Sequence, residues 1–404
     1  MIHSKSKLRG YILSCASLLF VTTSLHAKEV NEWPEDDVAF CNLALDQSLI
    51  QYDKFRQEYK NPTKIPTSFS NGKTNYTTPL GWTSGFVAGS YWYLYEHSKD
   101  PIWLEEANRW TDALEKTQFN RKTHDIGFII DSSFGNRMRF TNSPDSAAVM
   151  ISAAQTLMER YNPKVGVTYS WSFGTWEFPV IIDNMMNLEL LFKASLLSKD
   201  THYYDAAVSH AKVTMKHHFR DDYSSYHLVN YSRNTGLPIE KQTVQGITDN
   251  SSWSRGQAWA AYGYTMTYRY TQDESFLNQA KGIVEFMLTN ENMPEDLIPY
   301  FDYDAPAYSD IVNYRDSSAA ALLASALLEL AQYVENEQAT YYRDNALTIL
   351  RNLSTPTYFA SEDENGHFLL KQATGHYPAN RDLNASLNYG DYYYLEALNR
   401  CKSI

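Results

Sequence analysis

The chain has 404 residues, about 43% of them hydrophobic, with 47 Asp and Glu against 35 Lys and Arg and a formal net charge of −12. This composition excludes a disordered tail, a collagen-like fibre and a disulfide-stapled miniprotein, and the acidic balance excludes general attraction to nucleic acid, whose phosphates are met by Lys and Arg. An anionic substrate therefore needs a local cationic pocket.

In chain order, Lys5, Lys7 and Arg9 precede an apolar run over 11–21 and the polar and small residues that end at Ala27. This reads as a secretory signal peptide over 1–27, with export to the periplasm as the expectation. Cys15 lies in a poor lipobox, so cleavage after Ala27 is expected. The run is too short for a membrane span, and no later segment approaches the roughly 20 apolar residues that a span needs. Two cysteines then remain, Cys41 and Cys401, either paired in an oxidising compartment or separately buried.

Helical periodicity predicts segments over 36–59, 83–97, 102–116, 143–161, 180–197, 202–217, 254–271, 274–289, 317–333, 339–353 and 391–399. Ser143-Pro144 supplies an N-cap and a proline at the first helical position, and Asp316-Ser317-Ser318 opens the Ala/Leu-rich segment. Strand-like pieces are few: 225–231 before the turn Asn234-Thr235-Gly236, and 367–370 after Glu364-Asn365-Gly366, each read as a hairpin inserted between helices. With no Pro/Gly/Ser-rich linker and no fixed repeat motif, residues 28–404 read as one all-α domain. The economical way for so many helices to bury their faces is an (α/α)6 barrel with a cleft among the loops at one end; a solenoid would show self-similar repeats.

Nucleotide and structural zinc sites lack support: there is no phosphate-binding glycine loop, no His-Glu-x-x-His and no Cys-x-x-Cys, so no cofactor or metal is expected. His217-His218 reads as a pair of solvated histidines at a helix end. What remains is polar residues set in apolar stretches. Asp183, with Asn184 and Asn187, lies inside a stretch that otherwise belongs in a core, where burial would raise a carboxyl pKa and prepare a general acid; a buried Asp satisfied by a neighbouring cation is the alternative. Asp125 follows His124 in a loop-like stretch before Gly127, and makes with Asp183 a candidate acid/base pair. Arg255 and Trp259, four apart on one helix face behind Trp253, are a candidate carboxylate and sugar site, with Arg255 as the missing local cation. The alternative is an Arg lying over a Trp at the ring end.

Five segments in order, His124–Phe128, Val180–Leu188, Trp253–Trp259, Arg315–Ala319 and Tyr389–Tyr393, together resemble the unsaturated glucuronyl hydrolases of glycoside hydrolase family 88. The resemblance implies an (α/α)6 barrel and removal of a 4,5-unsaturated uronic acid from the non-reducing end of lyase-made oligosaccharides, without metal or organic cofactor. It implies that Asp183 is the general acid/base and Asp125 a second essential carboxylate. It further implies that Arg255 and Trp259 bind the uronate ring, that His227, Gln245 and Thr243 line the sugar site, and that Trp82 and Trp176 wall the cleft. Rival readings are an unsaturated rhamnogalacturonyl hydrolase of the sister family, an ordinary inverting glycosidase, and a non-catalytic binder of acidic oligosaccharides.

Overall fold

Helices of two kinds make up most of residues 35–403, the part of the chain that the computed structural model describes; the signal-peptide expectation falls outside them. Asp37–Glu58, Pro101–Asp112, Pro144–Met158, Thr201–His217, Glu274–Thr289 and Asn336–Leu353 bury one stripe and expose the other. In Glu274–Thr289 the buried residues Phe276, Ala280, Ile283, Val284 and Met287 follow the spacing of a single helix face. Gly85–Ser98, Asn184–Ser198, Ser254–Thr271, Ser317–Leu330 and Asn388–Cys401 are instead buried almost all round; in Ser317–Leu330 every residue is buried. A sixth helix of this second kind runs through Ile126–Ile130, a π turn at Asp131–Gly135, and Asn136–Thr141.

The six buried helices touch in cyclic order and close a ring, and each carries one amphipathic helix outside it. Five inner helices pair with the outer helix that follows in sequence. The last, Asn388–Cys401, pairs with the first, Asp37–Glu58, so the two ends of the chain complete the circle. Twelve helices in six hairpins form the expected (α/α)6 architecture. The helix over 126–141 was not expected, because the π turn shifts the apolar spacing there away from a 3.6-residue period.

The five passages from inner to outer helix are tight, and four of them share a local motif that a scan for long repeats overlooks. Lys99, Asn142, Lys199 and Gln272 end their helices in the left-handed conformation, and the next residue, Asp100, Ser143, Asp200 or Asp273, caps the following helix by accepting from a backbone N–H. In three of these corners a preceding hydroxyl, from Ser98, Ser198 or Thr271, accepts from the capping residue's own N–H.

The return passages are long and all lie at the other end of the ring. They carry three small antiparallel sheets: Ile65–Ser70 with Lys73–Thr77 and Ser386–Leu387; Pro179–Ile181, Leu228–Tyr231 and Pro238–Gln242; and Tyr161–Asn162 with Val167–Thr168. The hairpin expected around 234–236 is present, whereas the one around 364–366 reduces to a single bridge between Phe359 and Leu370. Among the described residues no helix is long and apolar enough to cross a membrane. His218, expected in solvent, is wholly buried, because the chain turns straight into the bridge between Phe219 and Ser225 and covers it.

Cys41 and Cys401 form a disulfide with Cα atoms 6.2 Å apart, so the first and last helices are joined covalently across 360 residues. Closing so long a loop restricts the unfolded chain far more than the folded one. Replacing both cysteines by alanine is expected to lower unfolding stability in urea by about 2–4 kcal/mol, with activity at 25 °C retained; an unchanged midpoint would show that the helix pair holds the ring shut by packing alone.

Candidate active site

Every inner helix begins at the end that carries the long passages, and residues at the N-terminal ends of five of them line one cavity of about 750 Å³. Helix N-termini carry unsatisfied N–H groups and partial positive charge, which makes this end of an acidic protein locally receptive to anions. Asp125 and Asp183 occupy the residue just before two adjacent inner helices, yet neither side chain caps its own helix. Both carboxylates instead line the cavity.

The two helices are drawn together at Gly127. A Cβ there would lie 2.6 Å from the Cα and Oδ1 of Asn187, so only glycine permits the approach. Asn187 fixes the contact by accepting from the backbone N–H of Phe128 at 3.0 Å. This brings the charge of Asp125 to bear on Asp183.

Asp183 is 8% exposed, and its Oδ2 has no hydrogen-bond partner. Burial, and after it the charge of Asp125, push its carboxyl up to about 7, while its own backbone N–H and the Arg255 charge act weakly the other way. It is thus a carboxylic acid that keeps a proton at near-neutral pH. Asp125 accepts from Thr123 Oγ1 at 3.2 Å and lies 3.4 Å from His124 Nε2.

His227 is the second neutral neighbour of Asp183. The backbone N–H groups of Val244 and Gln245 donate to its Nδ1 at 2.9 and 3.3 Å, so the ring proton resides on Nε2, which faces Asp183 Oδ2 at 3.7 Å. Burial, then the charges of His376 and Arg255, hold this imidazole down at about 3, so it stays uncharged throughout the useful pH range.

Arg255 does not supply the free cation that its sequence context suggested. Its Nη1 donates to Asp316 Oδ2 at 2.6 Å and to the Thr374 carbonyl, and its Nη2 donates to the Gly375 carbonyl at 2.6 Å and to Gln245 Oε1 at 3.4 Å. The guanidinium is packed between the rings of Trp253 and Tyr389, 4.8 and 5.4 Å from their centroids. Arg255 therefore forms part of the wall and fixes the 374–375 strap and Gln245 around the cavity. Asp316, which caps Ser317–Leu330, was legible as a helix start, but nothing in sequence links it to an arginine 61 residues away.

The remaining expected residues divide. Trp82, Trp176, Gln245 and His227 line the cavity. Trp82 lies 5.0 Å from Tyr389 and 5.6 Å from Phe128, which makes these three rings a continuous floor. Trp176 is tied by its indole N–H to Gln242 Oε1. Trp259 is not on the surface of the cavity but beneath it, buried against the edges of Phe128 and Tyr393. Thr243 is also outside the cavity; its hydroxyl accepts from the N–H of Gly246 at 2.8 Å and shapes the turn that carries Gln245. His124, Phe128, Trp253 and Tyr389 line the cavity beside them; the sequence segments contained these residues, but their neighbours in sequence do not reveal which way they face. Among the described residues no group of three or more His, Cys, Asp or Glu is placed to hold a metal ion.

Residues 56–403 match the sequence profile of Glycosyl Hydrolase Family 88. The chain belongs to that family. It is 44% identical over 328 residues to an unsaturated glucuronyl hydrolase of Formosa agariphila, covering 80% of each chain. A crystal structure of an unsaturated glucuronyl hydrolase specific for heparin superposes with a TM-score of 0.87 at 41% identity, covering 90% of this chain and 97% of the other. A mutant of the unsaturated glucuronyl hydrolase from Streptococcus agalactiae, complexed with dGlcA-GalNAc6S, superposes with a TM-score of 0.77 at 28% identity, covering 92% and 93%. The family 88 barrel is thus present over nearly all of the described chain.

Two outcomes test this electrostatic picture. A carboxyl with a folded pKa near 7 and an ordinary unfolded value binds more protons when folded, so it costs stability as pH rises between about 4 and 7. Asp183→Asn is therefore expected to melt above the wild type at pH 8, by on the order of 4 °C, and to lose that advantage at pH 4; a pH-independent gap would contradict the burial argument. Arg255→Gln leaves Asp316 as an unpaired buried charge and is expected to destabilise by about 3–5 kcal/mol. Adding Asp316→Asn to that variant should recover part of the loss in urea unfolding, whereas strictly additive losses would mean the two do not act as a pair.

Proposed function

We propose that this chain is an exported unsaturated glucuronyl hydrolase, which removes the 4,5-unsaturated uronic acid from the non-reducing end of lyase-generated oligosaccharides by hydrating the vinyl ether. The observation that carries the reading is the protonated, unpartnered carboxyl of Asp183 at the deep end of a cavity that is rimmed by helix N-termini. The family membership supports it.

The chemistry follows from one carboxyl acting twice. Protonated Asp183 delivers its proton to C4 of the double bond, and positive charge develops on C5 and the ring oxygen. Water adds to C5, and the Asp183 carboxylate takes the proton that it sheds. The resulting hemiketal opens between C5 and the ring oxygen, leaving a ketone at C5 and a hemiacetal at C1, whose collapse gives an aldehyde and frees the leaving sugar. Because proton delivery and proton uptake occur near one ring face, the spacing rule for displacement at an anomeric carbon does not govern this pair of carboxylates. Asp125, as the anion beside Asp183, favours the protonated form before the reaction and stabilises the positive charge as it develops. His227, neutral with its proton on Nε2, faces Asp183 without competing as an acid. The uronate carboxylate enters a field set by helix N-termini and by neutral donors such as Gln245, since Arg255 is already paired.

Export is part of the same proposal. The basic, apolar N-terminal segment supports it, and so does a buried disulfide, a bond that persists in oxidising compartments. Substrates are unsaturated uronic-acid oligosaccharides, and the parent polysaccharide is left to the assay.

The test follows the ultraviolet absorbance of the conjugated double bond in a panel of lyase-made disaccharides. Wild type is expected to abolish the absorbance of at least one, while Asp183→Asn lowers kcat by at least about 10²-fold. The wild-type rate should fall as pH rises through about 7, where the general acid is lost. Absorbance that persists across the panel would overturn the activity, and a rate that rises through that range would remove Asp183 from the acid role.

A further inference from the structure

An enzyme that takes only the terminal sugar must let the rest of the chain leave through the mouth of the cavity, where an exposed aromatic ring stands. Phe173 sits on the 171–177 loop with 68% of its surface exposed, yet it lines the same cavity as Asp183. It is stacked on Trp171, with ring centroids 5.2 Å apart and planes within 12° of parallel. Trp171 in turn meets His124 edge-on at 6.4 Å, and His124 lies beside Asp125. An aromatic path therefore runs outward from the reacting carboxylates to solvent. The indole N–H of Trp171 is buried without an acceptor.

The loop that carries this path is held, not loose. Gly174 takes φ of +84° directly after Phe173, and a Cβ there would lie 2.7 Å from the Trp176 ring. Trp176 packs edge-on against Trp171 at 5.7 Å, and its N–H is tied to Gln242 on the neighbouring hairpin at 2.6 Å. A large apolar ring fixed at the edge of a site leaves its face in contact with water and gains by receiving a flat partner.

We infer that Phe173, backed by Trp171, is a stacking platform for a sugar beyond the leaving-group sugar, and that this enzyme favours unsaturated oligosaccharides longer than disaccharides. The inference rests on the function proposed above. The terminal uronate occupies the deep end at Asp183, the leaving-group sugar passes Trp171, and Phe173, one ring further out, meets only a longer chain. An uncharged ring face is the chemistry it selects, so the recognised unit is a neutral sugar or the apolar face of an amino sugar.

The experiment compares a disaccharide with a tetrasaccharide of the polysaccharide that the absorbance panel ranks first. Wild type should give the higher kcat/KM on the tetrasaccharide. Phe173→Ala is expected to raise KM for the tetrasaccharide about 3- to 10-fold, with kcat and all disaccharide constants within about twofold of wild type. Phe173→Tyr, which keeps the ring, should restore the tetrasaccharide KM. Equal effects of Phe173→Ala on both substrates, or none on the tetrasaccharide, would overturn the platform and leave the activity intact. Failure of the wild type on every disaccharide and tetrasaccharide would instead overturn the function and the platform together.

Discussion

Six helices buried on all sides can close into a ring only if the backbone groups at their ends, and the polar side chains they carry inward, all find partners. The two ends of this ring meet that constraint in different ways. At the C-terminal end, charged side chains form an alternating chain across the inner helices. Lys193 joins Asp131 to Glu189, Arg269 joins Glu189 to Glu329, and Arg400 joins Glu329 to Glu396. Cations placed there also face the negative ends of the helix dipoles. This end is spent on holding the ring together.

The N-terminal end is left chemically open. The corners at the opposite end cap the outer helices with Asp or Ser, whereas Asp125 and Asp183, which stand at the same position before inner helices, do not cap. An aspartate that caps accepts backbone N–H bonds and is held as an anion; one turned away into a buried cavity loses that support. The rise of Asp183 toward neutral pH therefore follows from burial, and after it the charge of Asp125, acting on a carboxyl in nearly the same position that does not cap its helix. The buried pair of Arg255 and Asp316 is the counterpart, since each side chain satisfies the other.

What the sequence disclosed follows the same division. Outer helices were legible because half their surface faces water, which imprints a period on the apolar residues. Inner helices have no polar face, so Ser317–Leu330 could be found only as an apolar run behind a cap, and the start of Asn184–Ser198 was placed four residues early, because Pro179–Ile181 is a buried strand of similar composition. The helix over 126–141 shows no helical period in sequence, since its π turn breaks it. Asp125, Asp183 and His227 were legible by kind and are brought together. The roles of Arg255, Trp259 and Thr243 were less so: an arginine four residues before a tryptophan shares a helix face with it, but whether that face meets substrate or protein depends on Asp316 and the 374–375 strap, which lie far off in sequence.

The shape of the cavity connects these points to the way the site meets a polymer. Its floor is closed by Trp82, Phe128 and Tyr389, and beneath them Trp259 and Tyr393 continue the packing into the ring core. A chain cannot pass through such a floor, so only a terminus can reach Asp183, and end-wise action follows from packing before any specific contact is made. Selection of the unsaturated terminus then falls to the acid: a proton held by a carboxyl near pH 7 is available to a carbon–carbon double bond that becomes basic through its ring oxygen. A saturated terminus offers no such carbon. The closed floor therefore restricts the site to a chain terminus, protonation sets which terminus reacts, and the aromatic path toward the mouth is placed to register what lies behind the bond.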